Sequence, residues 1–464
     1  MTKIVYNQIL SLFLKYLPSR LLVILNSLVI VPFFAYMLTE KEMGIFQLSI
    51  GILNLVCTIS TDWIAKSALR FYEKHKHGNF YSNIFMLMLA SYAVIILLYT
   101  IFNGLICEKF HITGGVLALT LLLVIPCGIR QFLYQMLRIF KKPFLYTFSI
   151  VIYQLVQVFL FLLLSKVFDN VTAVLAAMTL AMLGIDAYIV KKIYHELTET
   201  PTAPAQDMLH ESLRYSLPLI VTNTGIWMIF HVNKFIFQNL KQFDFTAVSG
   251  VSWLYTTYIL TPLFSTFLFA VFPLVIKRFE TDKEVKSLIT STVQLYCALF
   301  IPLTCAFIFY SAQIAQLAFG GKYTGAGIIL PFFALTLFLH ELMKILNIKY
   351  HLKNRTYIEM LISVAVAIMC LGFNLFLIPH FGLLGAGLSM LLSIILLIAG
   401  NSVVNFKSLQ YISFPDVSKT VFYTAAITAT GFAVSLIFPS ILKIIVFLLL
   451  NYAILWQYRR KILS

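Results

Sequence analysis

Acidic side chains are few in this sequence. Only 18 Asp and Glu stand among 464 residues, against 34 Lys and Arg. Charged residues of both signs make up 11% of the chain, where a soluble globular protein carries about a quarter. The ordinary soluble fold is thereby excluded, because the 60% of residues that are hydrophobic exceed what a water-exposed domain of this length can hide. Catalytic signatures are missing as well. No phosphate-cradling loop occurs, and Gly320-Gly321-Lys322-Tyr323 does not fit one. No zinc-protease helix, no nucleophile elbow and no metal-ligand cluster is present, so nucleotide hydrolysis by a phosphate loop and zinc chemistry drop out and neither cofactor nor metal is expected. The six cysteines (Cys57, Cys107, Cys127, Cys297, Cys305 and Cys370) show no zinc or redox spacing. Five lie inside apolar stretches and Cys107 ends one, so they read as small apolar fillers and say nothing about redox compartment.

What is there instead is a series of long apolar runs. A bilayer span needs about 20 such residues. Fourteen runs qualify, at 14–38, 44–65, 82–106, 114–137, 143–165, 171–190, 215–238, 247–276, 287–310, 324–347, 357–379, 382–404, 417–438 and 441–458. Only the turn Pro379-His380-Phe381-Gly382 separates two of them. The first run ends in Thr39-Glu40-Lys41-Glu42 without a small-residue cleavage site, and reads as a retained helix.

Loop charge then orients the chain. With the N-terminus inside, 24 of the 34 Lys and Arg fall in inner segments, rich at 66–81, 138–142, 191–214, 277–286 and 347–355. Six fall in outer loops (Lys41, Lys109, Lys166, Lys241, Lys322 and Lys443), and four lie within spans. This bias predicts both termini in the cytoplasm, and it accounts for the net charge of +16 without nucleic acid as a partner.

The two halves echo each other. Lys15-Tyr16-Leu17-Pro18 opens one and Arg214-Tyr215-Ser216-Leu217-Pro218 the other. Arg70-Phe71-Tyr72-Glu73 matches Arg278-Phe279-Glu280, and Thr113-Gly114-Gly115 matches Thr324-Gly325-Ala326-Gly327. Six helices per half give both halves one orientation, the pattern of a parallel repeat. The expected fold class is therefore an all-α integral membrane protein of about fourteen transmembrane helices, two six-helix lobes plus a C-terminal helix pair. The expected boundaries are 1–200, 201–405 and 406–464. The segment 191–214, with Pro201 and Pro204, reads as the linker between lobes.

A charge at the centre of a span costs about 2.5–3.5 kcal/mol on insertion scales, so it faces a cavity or a partner. The cations so placed are Arg20, Arg130, Lys234 and Lys344, and the acids are Asp62, Asp186 and Glu341. Asn223, Trp227, His231 and Lys234, at i, i+4, i+8 and i+11, share one helical face. That stripe is either an anion-attracting cavity wall or a lysine snorkelling to the outer interface. Tyr16, Arg20 and Ser27 share a face, and Arg20 is either cavity lining or an inner-interface anchor. Arg130, followed by Tyr134 and Arg138, requires an ion pair or a cavity. Glu341 and Lys344, beside His340 and Asn347, either pair with each other at i, i+3 or supply a proton- or sodium-responsive carboxylate. Asp62, Lys66 and Arg70 (i, i+4, i+8) read as an ion-paired inner gate or as plain helix-end chemistry. Asp186 receives no role.

Four stretches carry a family resemblance: Leu38-Thr39-Glu40-Lys41-Glu42-Met43-Gly44-Ile45-Phe46, Ala68-Leu69-Arg70-Phe71-Tyr72, Phe319-Gly320-Gly321-Lys322-Tyr323, and Phe381-Gly382-Leu383-Leu384-Gly385-Ala386-Gly387. In that order they make the chain resemble the polysaccharide transporter branch of the multidrug/oligosaccharidyl-lipid/polysaccharide exporter superfamily. These are bacterial flippases for lipid-linked O-antigen, capsule or teichuronic-type repeat units. The resemblance implies a two-lobed bundle in the bacterial inner (cytoplasmic) membrane, working by alternating access. It implies a polyprenyl-pyrophosphate-linked glycan as substrate, held in a cation-lined cavity, with its lipid tail in the bilayer. A coupling ion (proton or sodium), membrane lipid and polysaccharide assembly proteins are the other implied partners. Fourteen spans rather than twelve depart from the simplest family pattern.

Two rivals stand beside the flippase. A multidrug antiporter of the same fold needs acids in its cavity to hold cationic drugs, and this chain has more intramembrane cations. A repeat-unit polymerase needs a sizeable outer loop. Here the longest, about 310–323, has some fourteen residues, and Glu40 and Glu42 are the only suggestive outer pair.

Overall fold

The computed structural model describes residues 2–75, 80–198, 206–281, 286–347, 356–404, 413–438 and 440–462. Those residues form sixteen helices and, among them, no strand. The helices are α1 (Thr2–Met37), α2 (Glu40–Ser60), α3 (Asp62–His75), α4 (Phe80–Phe110), α5 (Gly114–Leu122), α6 (Val124–Ile139), α7 (Pro143–Leu164) and α8 (Asn170–Thr198). They continue with α9 (Gln206–Asn239), α10 (Phe243–Thr281), α11 (Lys286–Phe309), α12 (Ser311–Phe319), α13 (Ala326–Leu346), α14 (Thr356–Val404), α15 (Phe414–Ser435) and α16 (Ser440–Ile462). An all-helical answer is what lipid demands, because the bilayer core offers no water to satisfy a free backbone group. Pro201, Pro204 and most of the basic residues at 277–286 and 348–355 lie outside the residues whose side chains are described.

Helices underlie all fourteen expected spans, with instructive differences. Two spans are interrupted. Thr61 breaks 44–65 into α2 and α3, and Leu123 breaks 114–137 into α5 and α6. The stretch 311–319, read as loop, is the short helix α12, closed by Gly320 in the left-handed region at φ 60°. The proline motifs do not open their helices: Pro18 and Pro218 sit well inside α1 and α9. Nine described stretches are long and apolar enough to cross a membrane, and one of them, Tyr357–Val404, holds two crossings. Its 48 residues would run about 70 Å as one helix, more than twice the bilayer's hydrocarbon core. The backbone leaves helical geometry at Gly382 (φ 55°, ψ −128°). There the chain folds back so tightly that a Cβ on Gly385 would stand 2.1 Å from the Leu377 carbonyl oxygen.

Helix starts follow local chemistry. Thr39 and Glu42 form a reciprocal capping box at α2, with Thr39 N–H donating to Glu42 Oε2 at 2.7 Å. Thr113 caps α5, Asp169 Oδ1 accepts from Thr172 N–H at the start of α8, and Pro143 occupies the first turn of α7.

The helices gather into two compact units, each discontinuous in sequence. One comprises Phe33–Gly250 and Ser363–Leu371, and the other Met1–Pro32, Val251–Ile362 and Gly372–Ser464. The first has a core of Trp63, Ile64, Phe80, Ile84, Leu133, Met136 and Ile189. Its α4 faces outward almost throughout, exposing Phe85, Leu89, Val94, Ile101 and Leu105, as a lipid-facing helix must. The second unit centres on an aromatic cluster in which Phe264, Phe267 and Tyr296 surround Phe300 at centroid distances of 4.9–5.7 Å. There α15 buries one small-residue stripe, Thr420, Thr424, Thr428, Gly431 and Ser435, and Tyr452 Oη on α16 donates to the Leu299 carbonyl of α11 at 2.8 Å. Small side chains let backbones approach closely where no hydrophobic effect separates helix from lipid.

Candidate functional site

The intramembrane charges meet different fates. In the first unit, Arg130 on α6 is buried and bound on three sides. Its Nε donates to Asp186 Oδ1 on α8 at 3.0 Å, its Nη2 donates to the Met182 carbonyl at 3.0 Å, and its guanidinium lies 4.2 Å from the Tyr153 ring centroid on α7. Of the ion pair or cavity expected for Arg130, the structure shows the ion pair, made with Asp186. Composition gave Asp186 no role, and the 56 positions between the two residues leave no local spacing to reveal it.

Lys234, on α9 of the same unit, has no such acid. It is fully buried, at 0% exposure, so it does not snorkel to the interface. Its Nζ lies 3.5 Å from His231 Nδ1, donating when that ring nitrogen carries no proton, and it makes no ion pair among the described residues. His231 is itself buried and stacks on Trp227 at 5.7 Å and 27°. Trp227 Nε1 donates to the Gly51 carbonyl of α2 at 3.1 Å, which fixes the face of α9 that the stripe occupies. Asn223, two turns before His231, is half-buried. The helical spacing thus brings Trp227, His231 and Lys234 into one contacting series.

Asp62 opens α3 directly after the break at Thr61, where an acid suits a helix N-terminus. It and Lys66 are half-buried. Arg70 is exposed, its guanidinium 5.9 Å from the Phe71 ring centroid. Thr61 Oγ1 donates to Gln131 Oε1 on α6 at 3.2 Å, so the break is held from outside its own chain segment.

In the second unit, Lys344 Nζ donates to Glu341 Oε1 at 2.5 Å, and His340 Nδ1 lies 3.5 Å from the same oxygen. Glu341 is buried while the Lys344 side chain is 41% exposed. The pairing of neighbours on one helix is thus realised, and Glu341 Oε2 still has no hydrogen-bond partner among the described residues. One turn on, Asn347 Nδ2 donates to Glu359 Oε1 on α14 at 3.1 Å. Half-buried Arg20 places its guanidinium 5.8 Å from the Phe269 ring centroid, and Ser27 donates back to the Val23 carbonyl of its own helix. The Tyr16 side chain lies outside those described.

Of the pair Glu40 and Glu42, Glu42 is occupied. Glu42 caps α2 with one oxygen, and its Oε1 accepts from Asn170 Nδ2 at 3.0 Å. Among the described residues no three His, Cys, Asp or Glu side chains gather as a metal site.

The profile of a family described as polysaccharide biosynthesis protein matches residues 10–277, more than half of the chain. No curated protein sequence matches. Among solved structures, the chain is similar to the lipid II flippase MurJ in an inward closed conformation, with TM-score 0.68 and 14% identity over 98% of this chain and 100% of that one. It is also similar to an inward-facing multidrug resistance MATE family transporter of the MOP superfamily, with TM-score 0.63 and 13% identity over 84% and 95% of the two chains. The eukaryotic MATE transporter AtDTX14 aligns with TM-score 0.58 and 11% identity over 87% and 95%. At such identities the likeness is one of fold, an all-α polytopic membrane bundle.

Proposed function

This chain belongs to the polysaccharide biosynthesis protein family, and from that membership we propose that it is a flippase, not an enzyme. It moves a polyprenyl-pyrophosphate-linked oligosaccharide repeat unit from the cytoplasmic to the outer leaflet of the bacterial inner membrane. Both termini lie in the cytoplasm. The observation that carries this reading is Lys234, a lysine fully buried on α9 with His231 as its partner and no acid paired to it among the described residues. Such a charge is costly and marks a substrate or ion path. Alternating access exposes Lys234, and the pyrophosphate becomes its counter-ion, with His231 and Asn223 offering further polar contact. Arg130 and Lys344 already hold acids, so they meet the substrate only where those pairs open. Glu341 and Asp62 are the proposed carriers of the coupling ion, proton or sodium.

Support for a lipid-linked anionic cargo comes from the family and from similarity over nearly the whole chain to the lipid II flippase MurJ. The competing reading, a multidrug/ion antiporter, draws on the MATE likeness. It sits poorly with a buried cation that has no acid beside it among the described residues, since such a charge repels a cationic drug. A polymerase is disfavoured by short outer loops and by the occupation of Glu42 in capping.

The test is genetic. Deletion of the gene is expected to trap lipid-linked repeat units on the inner leaflet and abolish surface glycan. Wild type is expected to rescue this, and Lys234→Ala and Arg20→Ala are not. Normal surface glycan in the deletion would favour the antiporter, and single unpolymerised units outside would favour the polymerase.

A further inference from the structure

Two stretches far apart in sequence bring their cations to one corner of the first unit. The turn from α6 to α7 supplies Arg138, Lys141 and Lys142, and the end of α8 supplies Lys191 and Lys192. Lys142 joins the two groups. Its Nζ donates to the Lys192 carbonyl at 3.4 Å and pairs with Glu196. Across 138–148 and 188–198 stand five Lys and Arg and one acid, Glu196, which Lys142 already holds. Lys141, Lys191 and Lys192 are exposed. Loop charge alone explains cations at each helix end, but not a hydrogen bond and an ion pair that lock the two groups together.

Aromatic rings frame the same corner. Phe144, in the first turn of α7, is 81% exposed, and its ring stacks on that of exposed Phe148 at 6.0 Å and 16°. The Arg138 guanidinium lies 5.6 Å from the Tyr146 ring centroid, and Lys192 Nζ lies 5.7 Å from that of Tyr188. Phe144 and Phe148 begin an apolar span, and Lys141 and Lys142 immediately precede it. That order puts the rings at the acyl boundary and the cations at the depth of lipid phosphate.

We propose that this corner binds an anionic phospholipid, its headgroup phosphate on Lys141, Lys191 and Lys192 and its acyl chains against Phe144 and Phe148. None of these residues is assigned to the cargo or the coupling ion, so the lipid site stands or falls apart from the flippase reading.

The experiment titrates the full-length chain in neutral detergent with phosphatidylglycerol, or with net-neutral phosphatidylcholine, and reads bound lipid by native mass spectrometry. Phosphatidylglycerol is expected to bind more tightly, and higher ionic strength to weaken it. Lys141→Gln, Lys191→Gln and Lys192→Gln together are expected to lower its affinity about fivefold per charge removed and to leave phosphatidylcholine unaffected. Lys141→Arg, Lys191→Arg and Lys192→Arg together should retain it. The control is Lys41→Gln, Lys109→Gln and Lys241→Gln, which removes the same charge from exposed positions of the same unit. Tyr81 Oη donates to the Glu196 carbonyl at 3.5 Å, so Lys109 lies about 40 Å away along α4, and the control should bind as wild type does. Equal affinity for the two lipids overturns the proposal, as does undiminished binding in the first glutamine variant or an equal loss in the control. Polyprenyl pyrophosphate binding that falls in the first glutamine variant while phosphatidylglycerol binding holds would make the corner a cargo dock and overturn it too. Should that variant fail to fold, lipid preference and ionic-strength dependence of the unsubstituted chain still decide.

Discussion

Arg130 Nε and Asp186 Oδ1 stand 3.0 Å apart in the buried interior of the first unit, and they tie α6 to α8 with α7 covering the guanidinium through Tyr153. Removing one partner leaves the other buried and uncompensated. Asp186→Ala is expected to lower stability by about 3–5 kcal/mol, the usual cost of breaking a buried pair. The double change Arg130→Met with Asp186→Leu is expected to recover most of it, since an apolar pair of similar volume carries no desolvation penalty. Thermal unfolding in detergent measures both. A single variant as stable as wild type would contradict the structural role.

Glu42 holds α2 and Asn170 rather than a reacting group. Glu42→Gln preserves a capping box, because glutamine also fits the third helical position. It is expected to support full surface glycan. Glu42→Ala, which loses the cap, is expected to cost about 1 kcal/mol. Loss of glycan in Glu42→Gln at normal protein level would revive an outer-face chemical role for this acid.

The hairpin of α14 closes on Gly385. A methyl group there would meet the Leu377 carbonyl oxygen at 2.1 Å and the Ile378 nitrogen at 3.0 Å, both backbone atoms that cannot swing aside. Gly385→Ala is expected to reduce the folded yield sharply, with overpacking of about 1–3 kcal/mol as a floor. Folded yield after detergent extraction checks it, and Gly372→Ala, which meets open space, serves as control.

These cases mark what the sequence makes legible. Runs of apolar residues and the loop-charge bias point to an all-helical membrane bundle, and the turn at Pro379–Gly382 is readable because proline and glycine bracket it. Local spacing also suffices for Glu341 with Lys344 and for the face shared by Trp227, His231 and Lys234. What escapes is long-range or conformational. Asp186 acquires a partner only through the packing of α8 on α6, and Gly128 packs against Thr61 and Tyr92 where a Cβ would not fit. The breaks at Thr61 and Leu123 lie within stretches read as single spans, although Asp62 follows one directly and Pro126 stands three residues beyond the other.

Glu341 binds Lys344 and His340 through one oxygen and leaves the other without a hydrogen bond among the described residues. A carboxylate so placed is suited to exchange partners with a cation. Glu341→Gln is expected to weaken the dependence of transport on the coupling ion by about 1–3 kcal/mol, the ordinary range of linkage between sites. Transport into vesicles under imposed proton or sodium gradients measures it. If Glu341→Gln and Asp62→Asn together leave that dependence intact, neither acid carries the ion.

Lys234 separates stability from activity most cleanly. An intramembrane lysine with no acid beside it among the described residues is a standing cost, about 2.5–3.5 kcal/mol at a span's centre. Lys234→Met keeps the length of the side chain and removes the charge. The variant is expected to unfold at a higher temperature than wild type and to lose transport, because residues kept for function are commonly those that burden the fold. Lys234→Arg keeps the charge and is expected to retain part of the activity, with a changed substrate dependence from its bulkier planar head. Were Lys234→Met less stable than wild type and equally active, the lysine would be a structural element of α9, and the anionic substrate would have to be met elsewhere.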